Sequence, residues 1–188
     1  MRIDPEHELH TLRETQVSSQ IIFDGFILHV RKDAVTLPNG EGASREIIRH
    51  IGAVCVIPVT ENNEVIVERQ YRYPIDRVIT EIPAGKLDSR EEDRLSAIQR
   101  ELREETGYTA EEWISLGDFH PAPAYSDEYI SMYMARKLHR GDRHLDADEF
   151  LDVFTVPLSE LVEDVMAGRI SDAKTQTAVL KAARILGI

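Results

Sequence analysis

Cysteine is almost missing: Cys55 is the single thiol in 188 residues, which excludes a disulfide framework. It lies in the apolar run Gly-Ala-Val-Cys-Val-Ile-Pro-Val, so it reads as a small buried hydrophobe and not as a ligand or nucleophile. Long hydrophobic runs are missing too. No stretch approaches the roughly 18 apolar residues of a membrane helix, and the polar start, MRIDPEHELHTLRE, carries no hydrophobic leader. Positive charge is scarce, with 22 Lys and Arg against 34 Asp and Glu and a net charge of −12. Such a balance argues against non-specific binding to nucleic acid or to an anionic membrane. There is neither an internal repeat nor a low-complexity tract. These absences lead us to expect a cytoplasmic enzyme.

What is present is an ordinary globular composition, 42% hydrophobic and 30% charged. A chain of this length buries one good core and leaves little room for a second independent one. Residues 1–16 carry little pattern and predict a loose or helical start. Residues 20–35 are rich in Ile, Phe and Val, and Pro38-Asn39-Gly40 marks a turn before a return strand at 46–48. Residues 53–59 and 65–71 are β-rich runs joined by Glu61-Asn62-Asn63-Glu64, which reads as a hairpin. A short strand at 78–82 ends at Pro83-Ala84-Gly85. From about 90 to 106, Leu95, Ile98 and Leu102 recur at helical spacing, and Gly107 supplies a stop. Strands at 113–119, 129–135 and 150–156 follow, then helices at 158–167 and 172–186. The order predicts an α+β or layered α/β/α fold around a mixed sheet, with an N-terminal antiparallel strand layer. We expect residues 1–50 to form a semi-separate β-rich segment ahead of a domain at 51–188.

The chemistry concentrates in the mid-chain helix. At 100° per residue, Glu101, Glu104 and Glu105 fall within an arc of about 100°, beside the apolar stripe. Three carboxylates on one edge are unfavourable alone, since two like charges ~4 Å apart repel by roughly 4 kcal/mol at an effective dielectric near 20. A hard divalent cation removes that cost, and Mg²⁺ is held by a few carboxylates together with substrate phosphates. The competing reading is a plain solvated acidic face. It also leaves unexplained how an acidic protein would bind an anionic substrate, which a cation resolves.

The spacing decides between them. Arg100-Glu101-Leu102-Arg103-Glu104-Glu105-Thr106-Gly107-Tyr108, preceded by Gly85 and an acid, resembles the Nudix box; its last nine positions would arise by chance on the order of once in 10⁴ to 10⁵ chains. One residue is in excess here. Counting back from Arg100 selects Glu92 as the first box acid, and counting forward from Gly85 selects Glu91. Glu92 is preferred, because an insertion in the 86–91 loop leaves the helix register intact. The resemblance covers nearly the whole chain and points to the ADP-ribose pyrophosphatase branch. It is carried by Leu37-Pro38-Asn39-Gly40, Gly52-Ala53-Val54, Arg69-Gln70-Tyr71-Arg72, Glu81-Ile82-Pro83-Ala84-Gly85-Lys86-Leu87-Asp88, Asp146-Ala147-Asp148-Glu149-Phe150 and Asp172-Ala173-Lys174-Thr175. Pro123 lies fifteen residues past Tyr108, as in that branch. Tyr125 lies at a position associated with dinucleoside polyphosphate hydrolases, and Ala122-Pro123-Ala124 replaces the usual Ser-Pro-Gly.

The resemblance implies that Glu101 and Glu105 are the principal Mg²⁺ ligands with the Ala84 carbonyl, that Glu104 completes the cluster, and that Mn²⁺ is a possible substitute. Arg100 would orient the carboxylates, unless it forms only a surface salt bridge. The implied reaction is attack by metal-activated water on a diphosphate, releasing AMP and a sugar 5-phosphate. The general base is expected in the loop at 145–149, with Glu149 first and Asp148 and Asp146 as substitutes. Arg45 and Arg72 are candidates for phosphate or adenine contacts, Glu81 for substrate binding, and Asp127 and Glu128 for the terminal ribose hydroxyls. The resemblance also implies a homodimer, with the β-rich segment 1–50 serving dimerisation or substrate binding and 51–188 as the catalytic domain. The alternatives are a broader nucleoside diphosphate sugar hydrolase, a dinucleoside polyphosphate hydrolase, and a domain that binds ADP-ribose without cleaving it.

Overall fold

The computed structural model describes residues 11–145 and 150–188. They form two compact units, one of residues up to His50 with Ala122–Glu128, the other of Ile51–Pro121 with Tyr129–Ile188.

The first unit is an antiparallel sheet of β1 (Thr15–Asp24), β2 (His29–Thr36) and β3 (Gly42–Arg49), in that order. The Pro38-Asn39-Gly40 signal is a turn in which Gly40 adopts φ 89° and donates its N–H to the Leu37 carbonyl at 2.9 Å. A residue with a Cβ adopts that conformation only at a cost. The end of β3 is tied to the segment at 122–128: the Ile48 amide donates to the Tyr125 carbonyl at 2.7 Å, and the Asp127 amide to the Ile48 carbonyl at 3.2 Å.

The second unit holds two sheets. β4 (Ala53–Pro58) pairs antiparallel with β7 (Ala84–Lys86) and parallel with β9 (Ile130–Arg140), which pairs with β8 (Tyr108–Phe119), giving the mixed order β7-β4-β9-β8. The second sheet, β10-β5-β6, is antiparallel and comprises β5 (Glu64–Arg72), β6 (Arg77–Glu81) and β10 (Leu151–Pro157). The helices are α1 (Arg94–Thr106), α2 (Leu158–Met166) and α3 (Ala173–Leu186). β4 is apolar at every position because it is covered on both faces. Val54 and Val56 pack with Leu87, Ala97, Ile98 and Leu102 under α1. Cys55 and Ile57 face the other core, with Val65, Val67, Met132, Leu158 and Val179. This is the layered α+β arrangement expected. No helix among the described residues is long and apolar enough to cross a membrane.

The expected hairpin at 53–71 is corrected. β4 and β5 enter different sheets, and the only backbone pairing between the two runs among the described residues is an isolated bridge between Val59 and Val65. The turn at 61–64 reverses the chain, but β4 finds better partners in β7 and β9, both remote in sequence. α1 begins at Arg94 and not near 90, because the Asp93 carboxylate caps it by accepting from the Ser96 amide at 2.8 Å. The three-residue β7 was not foreseen.

Candidate active site

α1 presents its acidic edge to β7. The helix is fixed by its caps and stripe: Asp93 at the start, Gly107 at φ 77° at the end, and Ala97, Ile98 and Leu102 buried beneath it. With the helix so fixed, Glu101, Glu104 and Glu105 follow one edge by their spacing. Glu105 is 5% exposed and accepts from the Ala84 amide at 3.1 Å. Glu101 lies on the bare backbone of Gly85, where a Cβ would fall 2.1 Å from the Glu101 Cδ. Gly85 is therefore required for close approach.

Arg100 gathers the acids around it. Its Nη1 lies 2.8 Å from Glu101 Oε1 and 3.1 Å from Glu104 Oε2, and its Nη2 lies 3.5 Å from Glu92 Oε1. Glu92 also accepts from the Asp88 amide at 2.6 Å, so it joins the loop before the helix to the arginine. Partial burial works against the guanidinium charge, but Glu101, Glu104 and Asp88 outweigh it and hold Arg100 protonated well above its ordinary range. Both candidates for the first acid of the motif, Glu91 and Glu92, lie in the loop between β7 and α1.

Among the described residues, no three His, Cys, Asp or Glu side chains are gathered tightly enough to chelate a metal as they stand. Three like charges repel, and nitrogen donors hold them: Arg100 takes Glu101 and Glu104, and the Ala84 amide takes Glu105. The donor set nevertheless fits a hard divalent cation, being all oxygen and carrying three negative charges beside a strand whose glycine admits close approach.

Around this edge, Arg72 and Glu81 form a fork, Nε to Oε1 at 2.6 Å and Nη2 to Oε2 at 2.9 Å. Arg72 remains 41% exposed in its side chain and Glu81 only 1%. Thus Glu81 is withdrawn behind Arg72 and cannot meet a ligand directly as it stands. Hydrogen bonding to Glu81 raises the Arg72 pKa against the effect of its own burial. Lys174 donates to the same carboxylate, a contact that the sequence reading missed. Its only local signal was the Asp-Ala-Lys-Thr run, which reads as a helix start.

The base candidates Glu149, Asp148 and Asp146 lie outside the described residues. The chain leading to them is tethered to α1, since the His144 amide donates to the Glu104 carbonyl at 3.1 Å. In the first unit, Arg45 pairs with Glu14 at 2.5 Å. Asp127 accepts from Arg49 at 3.1 Å and from the His50 amide at 2.7 Å, and Glu128 lies 3.9 Å from His50 Nδ1. Asp127 thus holds the end of β3 in place. Cys55 is buried, and burial pushes its thiol up to about 12, which removes it from nucleophilic chemistry.

A family model described as the NUDIX domain matches residues 49–176. Another, described as the nucleoside diphosphate sugar hydrolase N-terminal domain, matches residues 14–48. The chain is 42% identical over 168 residues to a protein of Bacillus methanolicus named methanol dehydrogenase activator, covering 88% of this chain and 90% of that one. It is 39% identical over 173 residues to the ADP-ribose pyrophosphatase of Bacillus subtilis (strain 168), covering 91% and 93%. A crystal structure described as an ADP compounds hydrolase shares the fold, with a TM-score of 0.83 at 21% identity over 93% of this chain and 95% of that one.

Proposed function

The chain belongs to the Nudix family, and on that premise we propose that it hydrolyses the diphosphate linkage of ADP-ribose, releasing AMP and ribose 5-phosphate. One arrangement carries the reading: the three glutamates of α1 ranged against β7, with Glu105 on the Ala84 amide and Glu101 on Gly85. Glu101, Glu104, Glu105 and the Ala84 carbonyl would hold Mg²⁺, or Mn²⁺ in its place. Bound there, the cation lowers the pKa of the attacking water and offsets charge on the phosphoryl oxygens. Arg100 orients the carboxylates through charge-assisted hydrogen bonds. Arg72 and Arg45 take the phosphates or the adenine, guanidinium being suited to bidentate anion recognition. Glu81 serves substrate binding through Arg72, and Asp127 and Glu128 are assigned to the distal ribose. Glu149 accepts the water proton as the new P–O bond forms; the P–O bond to the bridging oxygen breaks, and that oxygen departs on the other phosphate.

A broader nucleoside diphosphate sugar hydrolase is the second reading, favoured by the description of the family matched at 14–48. We further propose a cytoplasmic homodimer. β1 is exposed along its whole length at the edge of its sheet, with Val17, Ile21, Ile22 and Phe23 each more than half exposed. An apolar edge of that kind is ordinarily covered by another chain. The testing experiment measures kcat/KM with Mg²⁺ for ADP-ribose, ADP-glucose, UDP-glucose and diadenosine tetraphosphate. The proposal expects ADP-ribose to lead, and a lead by any other compound reassigns the substrate.

A further inference from the structure

Glu81 stands directly across from Glu68 in the β5–β6 ladder, and both residues are 1% exposed. Two carboxylates taken out of water at one cross-strand position need cations beside them. Arg72 supplies one, engaging both Glu81 oxygens. Lys174 supplies the other: its ammonium donates to Glu81 Oε2 and lies 3.2 Å from Asp172 Oδ1, with 10% of its side chain exposed. Of these groups only Arg72 reaches solvent substantially.

Asp172 is not simply the counterion of Lys174. It caps α3, its Oδ2 accepting from the Thr175 amide at 2.9 Å and from the Thr175 hydroxyl at 2.6 Å, so the helix N-terminus offsets part of its charge. Thr175 Oγ1 in turn accepts from the Ile82 amide at 2.9 Å. The start of α3 therefore grips residues 81 and 82, the approach to Ala84.

A bidentate arginine–carboxylate pair is neutral as a unit and a weak receptor for a diphosphate. A second cation on the same carboxylate changes this, because Glu81 then divides its charge between two partners and offsets less of the Arg72 charge. We propose that Lys174 is a positioning residue for diphosphate recognition: acting through Glu81, it holds the Arg72 guanidinium in a fixed orientation and leaves its positive charge available to the anion. The inference rests on the reading of Arg72 as a phosphate contact.

The test is the affinity for ADP by titration calorimetry without divalent cation, on the full-length protein. Lys174→Met is expected to weaken ADP binding about tenfold, and Lys174→Arg to stay within about threefold of the parent. In the Glu81→Gln background, Lys174→Met is expected to change affinity by less than about threefold, since the group it acts through is gone. A merely structural lysine would lower the melting temperature in both backgrounds without this coupling. ADP affinity unchanged in Lys174→Met, or lost equally with and without the Glu81 carboxylate, overturns the inference. Should Lys174→Met alone fail to fold, the doubly substituted protein, which removes both buried charges, is compared with Glu81→Gln, and a tenfold gap between them overturns it equally. Turnover is not read, so a protein showing this coupling yet inert toward ADP-ribose with Mg²⁺ would refute the hydrolase reading and leave this one standing.

Discussion

Glu101 and Gly85 claim the same space: a Cβ on Gly85 would lie 2.1 Å from the Glu101 Cδ and 2.2 Å from its Oε1. The atoms met are the far end of a flexible side chain, so an added methyl displaces the carboxylate and leaves the backbone in place. Gly85→Ala is therefore expected to lower turnover by at least about a hundredfold while moving Tm by only a few degrees. Parent-like kcat with intact Tm would show that the Glu101 carboxylate is not needed where it stands.

Glu105 separates ligand from core. It is buried, yet it touches the backbone of β7 through a hydrogen bond that an amide oxygen also accepts. Glu105→Gln should retain the contact with Ala84 and lose the charge, so turnover with Mg²⁺ should fall by about 10³-fold or more at nearly parent stability. A loss smaller than about tenfold would remove Glu105 from the metal site.

α1 was legible because its determinants are local, a 3.6-residue stripe of Leu95, Ile98 and Leu102 and a terminating Gly107, whereas the capping Asp93 that sets its start went unread. The acidic edge followed from the same period. β7 was not legible, since three residues give no alternation to read and its strand character comes from pairing with β4. The separation of β4 from β5 was hidden for the same reason, because a parallel partner such as β9 leaves no trace in the intervening turn. Lys174 shows the limit most clearly. A buried ammonium inside an exposed-looking helix start has one carboxylate beside it in sequence, Asp172, but the one that draws it inward lies 93 positions away.

That carboxylate also makes stability depend on pH. Burial alone would raise the Glu81 pKa, but the hydrogen bonds and charges of Arg72 and Lys174 outweigh it and hold the group below its usual 4.5. A depressed native pKa contributes stability that is fully present above about 4.5 and lost as pH falls through the native value. Urea unfolding of the parent should therefore weaken as pH falls below about 4.5, and Glu81→Gln should flatten that part of the curve. Parallel curves for the two proteins would show that Glu81 is not the titrating group.

The general base is the remaining chemical assignment. Glu149 lies outside the described residues, but the chain before it is anchored at His144 on the Glu104 carbonyl, in the last turn of the helix that bears the proposed metal ligands. A general base accepts a proton without holding the substrate, so on the proposed assignment Glu149→Gln should cut kcat by about 10²-fold to 10⁴-fold and leave KM close to the parent value. Asp148→Asn and Asp146→Asn are the controls, each expected to retain most of the activity. If Glu149→Gln turns over normally and Asp148→Asn does not, the proton goes to Asp148. If KM rises while kcat holds, Glu149 binds substrate and performs no proton transfer.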